Sequence, residues 1–434
     1  MSSGLPARRA AIRALNFVLK SRTALDTALA QSPGFAGMEP RDRAFSRLLA
    51  ATTLRRRGQI DAVLSTFLKH DLPDSALDAR LILETGVAQL LFLEVKPHAA
   101  VSAAVDLAKA DTATVRYAAM INAILRRVTR EGTDIAANTP LSLNLPLWLR
   151  ESWIEAYGTA ITEQIATAFA ASPPLDLSVQ SADEKESWAA TLGAKVLPTG
   201  TLRKDSIGDI TALPGFADGG WWAQDAGAAL PAKLLSAATG MEVLDLCAAP
   251  GGKTMQLAAS GARVTALDAS PKRLRRVEAN LARTGLAAKL AAADGREWGE
   301  DASFDAILLD APCSATGTLR RRPDAAWMKA TEDVQSLMPI QDALFANAVR
   351  LLNPGGRLVI CTCSLQPEEG EGWLARNLPQ HEDLTLDPVL PEELPALEAA
   401  LRPDGTVRLT PALWADRGGI DGFFIARLRK SSHG

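Results

Sequence analysis

Met241-Glu242-Val243-Leu244-Asp245-Leu246 is an apolar run carrying acids. Cys247-Ala248-Ala249-Pro250-Gly251-Gly252 is a turn of small residues, and Lys253 to Ala259 has helical periodicity. Strand, tight loop and helix in that order form the opening of a βαβ unit. The pattern repeats downstream: strand Arg263 to Leu267, helix Pro271 to Arg283, strands Lys289 to Ala293 and Phe304 to Leu309, helix from about Pro339 to Leu352, strand Arg357 to Cys361. Such alternation predicts an α/β domain with a doubly wound, mostly parallel sheet and helices on both faces. Thr406 to Thr410 and Gly422 to Leu428 follow without a full helix between them, which predicts an antiparallel pair at one edge.

Working outward, the chain has 434 residues, room for about three domains. Residues 1 to about 137 read as all helix: Ile12, Leu15, Val18 and Leu19 make one stripe, and Phe45, Leu48 and Leu49 another. Val101, Ala104, Val105 and Ala108 make a third, and Ile121, Ile124, Leu125 and Val128 a fourth. Leu81 to Val95, apolar nearly all round, is expected to be the buried central helix. Asn138 to Pro146 reads as a linker, and a small α+β segment with Trp148, Trp153 and Tyr157 runs to Trp221-Trp222. The domains expected are therefore 1–137, 138–222 and 223–434.

Composition narrows the function classes. With 47% apolar and 22% charged residues the chain is globular, and no stretch reaches the ~20 apolar residues of a membrane span. Four cysteines cannot make a disulfide scaffold, which points to a soluble protein of the reducing cytoplasm. The net charge of −3 hides +6 in residues 1–140 and −9 in the rest. A basic module joined to an acidic one suggests that the first half meets a polyanion, with Arg55-Arg56-Arg57, Arg126-Arg127 and Arg130 as phosphate contacts; solvated helix surface is the other reading. Arg8, Arg9 and Arg13 open the first helix rather than a transit peptide, because the apolar stripe continues through them.

Ligands in an open sheet bind beyond the carboxyl ends of the strands. Those ends carry Asp245, Asp268, Asp294, Asp310 and Cys363. The loop Cys247 to Thr254 is not a triphosphate loop, whose first glycine would stand where Cys247 does, nor Gly-x-Gly-x-x-Gly. Its small residues still let a ligand lie on the backbone and the helix N-terminus. Asp268 is placed for ribose hydroxyls and Asp294 for the amine of adenine, helix capping being the alternative for either. Adenosine without a phosphate grip favours S-adenosylmethionine over a dinucleotide.

Cys313 follows the fourth strand and Cys363 the fifth, so both loops are expected at one cleft. No metal site is expected: Cys361 and Cys363 lack a second pair at finger spacing, and His70, His98, His381 and His433 are scattered. Cys361 reads as a small hydrophobe, whereas Cys247 could pack or act. A thiol suits methylation of pyrimidine carbon 5. Addition of a thiolate to carbon 6 makes carbon 5 enamine-like, and an acid at ring nitrogen 3, the place of Asp310, stabilises the developing charge. The base must be unstacked to reach the cleft.

From about Trp148 to the end the chain resembles the Sun-type RNA 5-methylcytosine methyltransferases. The stretches that carry the likeness are Asp245 to Thr254, Asp310-Ala311-Pro312-Cys313-Ser314-Ala315-Thr316-Gly317, Arg321-Arg322-Pro323-Asp324, Thr362-Cys363-Ser364 and Gln224-Asp225. Residues 1–137, with Asn122-Ala123-Ile124-Leu125-Arg126-Arg127, resemble the NusB-type helical RNA-binding domain of the family's bacterial 16S ribosomal RNA members. The resemblance implies an all-α NusB-like domain, a small α+β domain and a Rossmann-like class I methyltransferase domain. It implies Cys363 as nucleophile, Cys313 assisting proton removal and release, and Asp310 on the cytosine with Lys253 close by. Cys247, Ala248, Ala249, Pro250, Gly251, Gly252 and Lys253, with Asp268, Asp294 and Asp310, would hold S-adenosylmethionine. Residue reading alone does not decide which cysteine attacks. The chain departs from the family pattern at Ser178 and Gln180, where Arg and Asn are common, and at Ile360, where Tyr is common.

The expected function is thus a monomeric, cytoplasmic enzyme, without membrane attachment, forming 5-methylcytosine in 16S rRNA during rRNA processing. The same chemistry on transfer RNA, or a non-catalytic RNA-binding assembly factor, are the alternatives.

Overall fold

The computed structural model describes residues 4–205, 208–300 and 303–432, so His433 lies outside the described residues. The chain forms two compact units: Met1–Ser172 with Leu319–Ala330, and Pro173–Thr318 with Thr331–Gly434. This division differs from the three expected segments. The helical part of residues 138–222 belongs to the first unit, the strands to the second, and a stretch far along the chain returns to the helices.

The first unit contains α1 (Leu5–Ser21), α2 (Leu25–Gln31), α3 (Pro40–Arg55), α4 (Arg57–Phe67), α5 (Leu77–Leu91), α6 (Pro97–Lys109), α7 (Ala118–Ala137) and α8 (Leu147–Ala170). The expected stripes converge on its core, where Leu15, Val18, Leu49, Leu81, Val87, Ile121 and Leu125 are fully buried. Two expectations need correction. Leu48 is 45% exposed, one helical step outside the stripe that Leu49 heads. The central helix stops at Leu91, because Glu94 takes a left-handed φ of 51° and Pro97 starts α6. Nor is 138–146 a free linker. The Asn144 side chain accepts from the Gln59 backbone N–H at 3.0 Å, Glu163 takes the N–H groups of Leu141 and Ser142, and a Cβ on Gly58 would sit 1.9 Å from the Leu143 carbonyl oxygen.

The second unit opens with a small antiparallel sheet made of β1 (Leu175–Val179), β2 (Lys195–Val196), β3 (Leu202–Lys204) and β4 (Trp221–Ala223), in the order β2-β3-β1-β4, with α9 (Lys185–Leu192). After α10 (Ala226–Leu235) come β5 (Glu242–Leu246), α11 (Gly252–Ala259), β6 (Arg263–Asp268), α12 (Pro271–Thr284), β7 (Lys289–Ala292) and β8 (Phe304–Asp310). Then follow α13 (Thr331–Leu351), β9 (Leu352–Thr362), α14 (Glu371–Asn377), β10 (Leu384–Leu386), β11 (Val407–Leu409) and β12 (Phe423–Lys430). The large sheet runs β10-β12-β9-β8-β5-β6-β7, with β11 on β12. The five strands β9, β8, β5, β6 and β7 are parallel, while β10, β11 and β12 supply the antiparallel part, one strand more than expected.

Burial on both faces explains the apolar strands. Val243 and Leu308 pack with Leu230 and Leu257 on one side, and Leu244 and Ile307 with Leu344 and Phe345 on the other. From β5 the chain winds outward to β7, then crosses back to β8. The carboxyl ends of β5 and β8 therefore flank the crevice where chain order reverses. No helix among the described residues is long and apolar enough to cross a membrane.

Candidate functional site

The acids and thiols meet at that crevice. Asp310 is the last residue of β8, and Cys363 follows the last residue of β9; the two strands pair in parallel, with Asp310 opposite Cys361. The turns beyond them are laced together. Ala311 N–H donates to the Cys361 carbonyl (3.0 Å), Gly317 N–H to that of Cys363 (2.9 Å) and Leu365 N–H to the Thr316 hydroxyl (2.9 Å). At Gly317 a Cβ would lie 2.2 Å from the Gly422 carbonyl oxygen, so only glycine allows the backbones this close. The lacing brings the sulfurs of Cys313 and Cys363 to 3.5 Å from one another. All four cysteines are free, and no cluster of metal-ligating residues exists among the described residues.

Lys253 reaches from the first turn of α11 to Asp310, Nζ to Oδ2 at 2.7 Å, and lies 5.4 Å from the centre of the Phe423 ring. Burial opposes its charge, but Asp310 outweighs that and holds the ammonium firmly protonated. A lysine that a phosphate loop would aim at phosphates is thus engaged by a carboxylate. Burial, then Asp310 and Asp268, push the Cys247 thiol far up, and burial and Asp310 do the same to Cys361, which donates to Asp310 at 3.4 Å. Cys361 is fully buried in the apolar cluster beneath β9.

Residues 247–253 form a tight hairpin of backbone against β6: Cys247, at φ 70°, and Ala248 both donate to the Leu267 carbonyl, and Gly251, at φ 104°, starts α11. Asp268 is 2% exposed; its oxygens accept from Ala249 N–H (3.2 Å) and Ser270 N–H (2.9 Å), with Arg273 at 3.3 Å. It braces the loop as well as facing its end. Asp294 lies two residues past β7, exposed, with Arg296 and a backbone N–H holding its carboxyl down at about 2. Three acids and small residues line this edge, with the Lys253 ammonium paired to Asp310. That donor set fits a cationic, phosphate-free nucleoside.

Sequence reading missed Glu369, a buried carboxylate behind the Cys313 turn, because nothing in Pro367-Glu368-Glu369 says which acid turns inward. Of Arg55-Arg56-Arg57, read as phosphate contacts or solvated helix surface, Arg55 is on neither kind of surface. Arg55 is buried and donates to the Arg320 carbonyl at 2.8 Å; Arg56 stacks on Phe92, and Arg57 on Trp327 beside Glu84. The break between α3 and α4 turns these side chains inward. Arg126, Arg127 and Arg130 are exposed on α7, and Arg126 and Arg130 line a groove of about 600 Å³ with His98, Lys109 and Asn122. In the second unit Ser178 and Gln180 line a cleft of about 440 Å³ with Lys185 and Lys233.

A doubly wound sheet of this order, with a phosphate-free nucleoside edge, defines a methyltransferase of the Rossmann-like class. Residues 232–429 match the 16S rRNA methyltransferase RsmB/F family, and residues 5–130 match the NusB family. The chain is 34% identical to the ribosomal RNA small subunit methyltransferase B of Pseudomonas putida, over 98% of each chain. It is 35% identical to that of Xanthomonas campestris over 89% of this chain and 91% of the relative. A methyltransferase homologue from Pyrococcus horikoshii shares the fold over 65% of this chain and 94% of its own, with a TM-score of 0.54 and 28% identity. The chain belongs to the RsmB/F family of RNA methyltransferases, whose methyl donor is S-adenosylmethionine.

Proposed function

We propose that the protein converts a cytosine of 16S ribosomal RNA to 5-methylcytosine through a covalent bond to Cys363. The observation that carries this reading is the pair of sulfurs 3.5 Å apart beside Asp310 and Lys253, since oxygen or nitrogen methylation needs no thiol at all. Bound against residues 247–253 with Asp268 and Asp294, S-adenosylmethionine supplies an electrophilic methyl group. Cys363, as thiolate, adds to carbon 6 of the flipped cytosine. Asp310, held by Lys253, faces the ring edge at nitrogen 3 and fixes the charge that builds there. Carbon 5 would then take the methyl group as the sulfonium–methyl bond breaks and its electron pair stays on the departing thioether sulfur. Cys313, once its own proton has passed to solvent, takes the carbon 5 proton as a thiolate. The electron pair of the C5–H bond restores the ring double bond and expels Cys363.

Labelled S-adenosylmethionine with 16S rRNA or transfer RNA tests the substrate: label is expected in 16S rRNA. Label in transfer RNA alone would move the substrate, and none in either would favour a non-catalytic binder. Cys363→Ala is expected to abolish turnover and covalent capture, and Cys313→Ala to accumulate a protein–RNA adduct. The reverse pattern would exchange the roles of the two thiols.

A further inference from the structure

The two sulfurs in contact are chemically alike, yet the proposed cycle asks different work of them. Their surroundings differ in one respect. Behind Cys313 lies Glu369, fully buried in the turn after β9. Its carboxylate accepts from the Ser314 backbone N–H at 2.9 and 3.1 Å, from the Ser314 hydroxyl, and from Gln341 Nε2 at 3.1 Å. The same Gln341 amide donates to the Pro312 carbonyl at 2.9 Å, and the Glu369 carbonyl accepts from the Thr362 hydroxyl at 2.9 Å. Glu369 thus grips Ser314 and the residue before Cys363 directly, and reaches Pro312 through Gln341. No lysine or arginine among the described residues pairs with it. A buried carboxylate without a cation is costly unless its hydrogen bonds hold something that matters, and what these hold is the Cys313 turn.

We infer that Glu369 is a positioning residue: it locks the Cys313 turn against the Cys363 turn and makes Cys313 the sulfur that handles the proton. The inference rests on the covalent mechanism above and explains a division of labour that the motif alone leaves open. The hydrogen bond to Cys363, burial, the charge of Cys363 and the charge of Glu369 all push the Cys313 thiol well above its ordinary range. A sulfur with high proton affinity is mostly thiol and so a poor attacking group at neutral pH, and once its proton has passed to solvent it binds the carbon 5 proton strongly. Lys253, by contrast, lends positive charge to the neighbourhood of Cys363.

The test is Glu369→Gln, with Glu369→Asp as the conservative partner. In Glu369→Gln, S-adenosylmethionine affinity should stay within twofold of wild type. Turnover on 16S rRNA should fall tenfold or more, while covalent protein–RNA adduct, read on a denaturing gel, rises severalfold. Glu369→Asp should recover part of the turnover. A second readout needs no RNA. Iodoacetamide alkylation of Cys313, mapped by mass spectrometry at pH 8, should speed up at least fivefold in Glu369→Gln while Cys363 changes less. Wild-type turnover and unchanged alkylation would overturn the inference, as would equal losses of cofactor binding, capture and turnover in both variants. Should Glu369→Gln not fold, Ser314→Ala keeps the carboxylate but removes one donor, and the loosened turn is then required to lower turnover and raise the adduct. A wild-type protein that captures no RNA would defeat the covalent mechanism, and the alkylation comparison would still judge Glu369.

Discussion

Asp245 shows how much one side chain in this crevice depends on what surrounds it. One of its oxygens accepts from the Thr254 hydroxyl at 2.5 Å, while Oδ1 is buried with no hydrogen bond. Burial, opposed by Thr254 and Lys253, raises its pKa from 3.8 to about 7. The unfolded chain ionises near 3.8 and the folded one near 7, so stability is highest below the first value, falls between them and stays low above. The loss amounts to about 4 kcal/mol, from roughly 1.4 kcal/mol per pKa unit. Asp245→Asn has no charge to bury. In cofactor-free protein its melting temperature is expected to gain on wild type as pH rises from 4 to 7, and no further above. A gap that does not change with pH would show that Asp245 is not the titrating group. Asp310, Cys313 and Cys363 were legible in the sequence because parallel strands deliver their carboxyl ends to one line. Glu369 was not, because inward and outward acids in a short turn look alike before the chain is packed.

Between elements, the least legible join is the one that ties the small sheet to the rest of its unit. Arg203 on β3 grips Asp176 on β1 with two hydrogen bonds of 2.7 and 2.6 Å, and also donates to the Arg417 and Gly419 carbonyls. Asp176 in turn accepts from Ala226 N–H at the start of α10. Both side chains are within 2% of full burial. Alternation in Leu175, Leu177 and Val179 announced a strand, but an ion pair buried across two strands leaves no periodic trace. Arg203→Met strands a buried carboxylate and should cost about 3–5 kcal/mol. The double variant Asp176→Leu with Arg203→Met should regain most of that. Urea unfolding reads both, and a double variant as unstable as the single one would mean that packing, not charge, is what Arg203 provides. The central strands, by contrast, were legible almost to the residue except at β9, which starts at Leu352 rather than Arg357, because two-sided burial demands unbroken apolar runs such as Ala306 to Leu309.

Across the whole chain, connectivity rather than composition holds the surprise. Six residues past Cys313 the backbone leaves the Cys313 turn, and Leu319–Ala330 completes the helical unit. There Asp324 accepts from Leu25 N–H at 2.9 Å, and the Trp327 indole donates to the Leu54 carbonyl at 3.1 Å. Deleting residues 1–137 therefore removes the partners of that segment. The shortened protein is expected to gain a protease-sensitive site within 319–330, and an uncut segment would count against the assignment. The basic surplus of the first 140 residues was legible as a sum, yet its arginines divide into two kinds. Arg55 is buried and structural, whereas Arg126 and Arg130 face the groove between α6 and α7. If that face meets RNA phosphates, Arg126→Ala with Arg130→Ala should weaken binding to any RNA and flatten the plot of log affinity against log salt by about 1 to 2 in slope. Arg55→Ala should leave that slope alone and lower the melting temperature instead. Equal slopes for wild type and the double variant, measured between low and moderate salt, would place the RNA contact elsewhere on the protein.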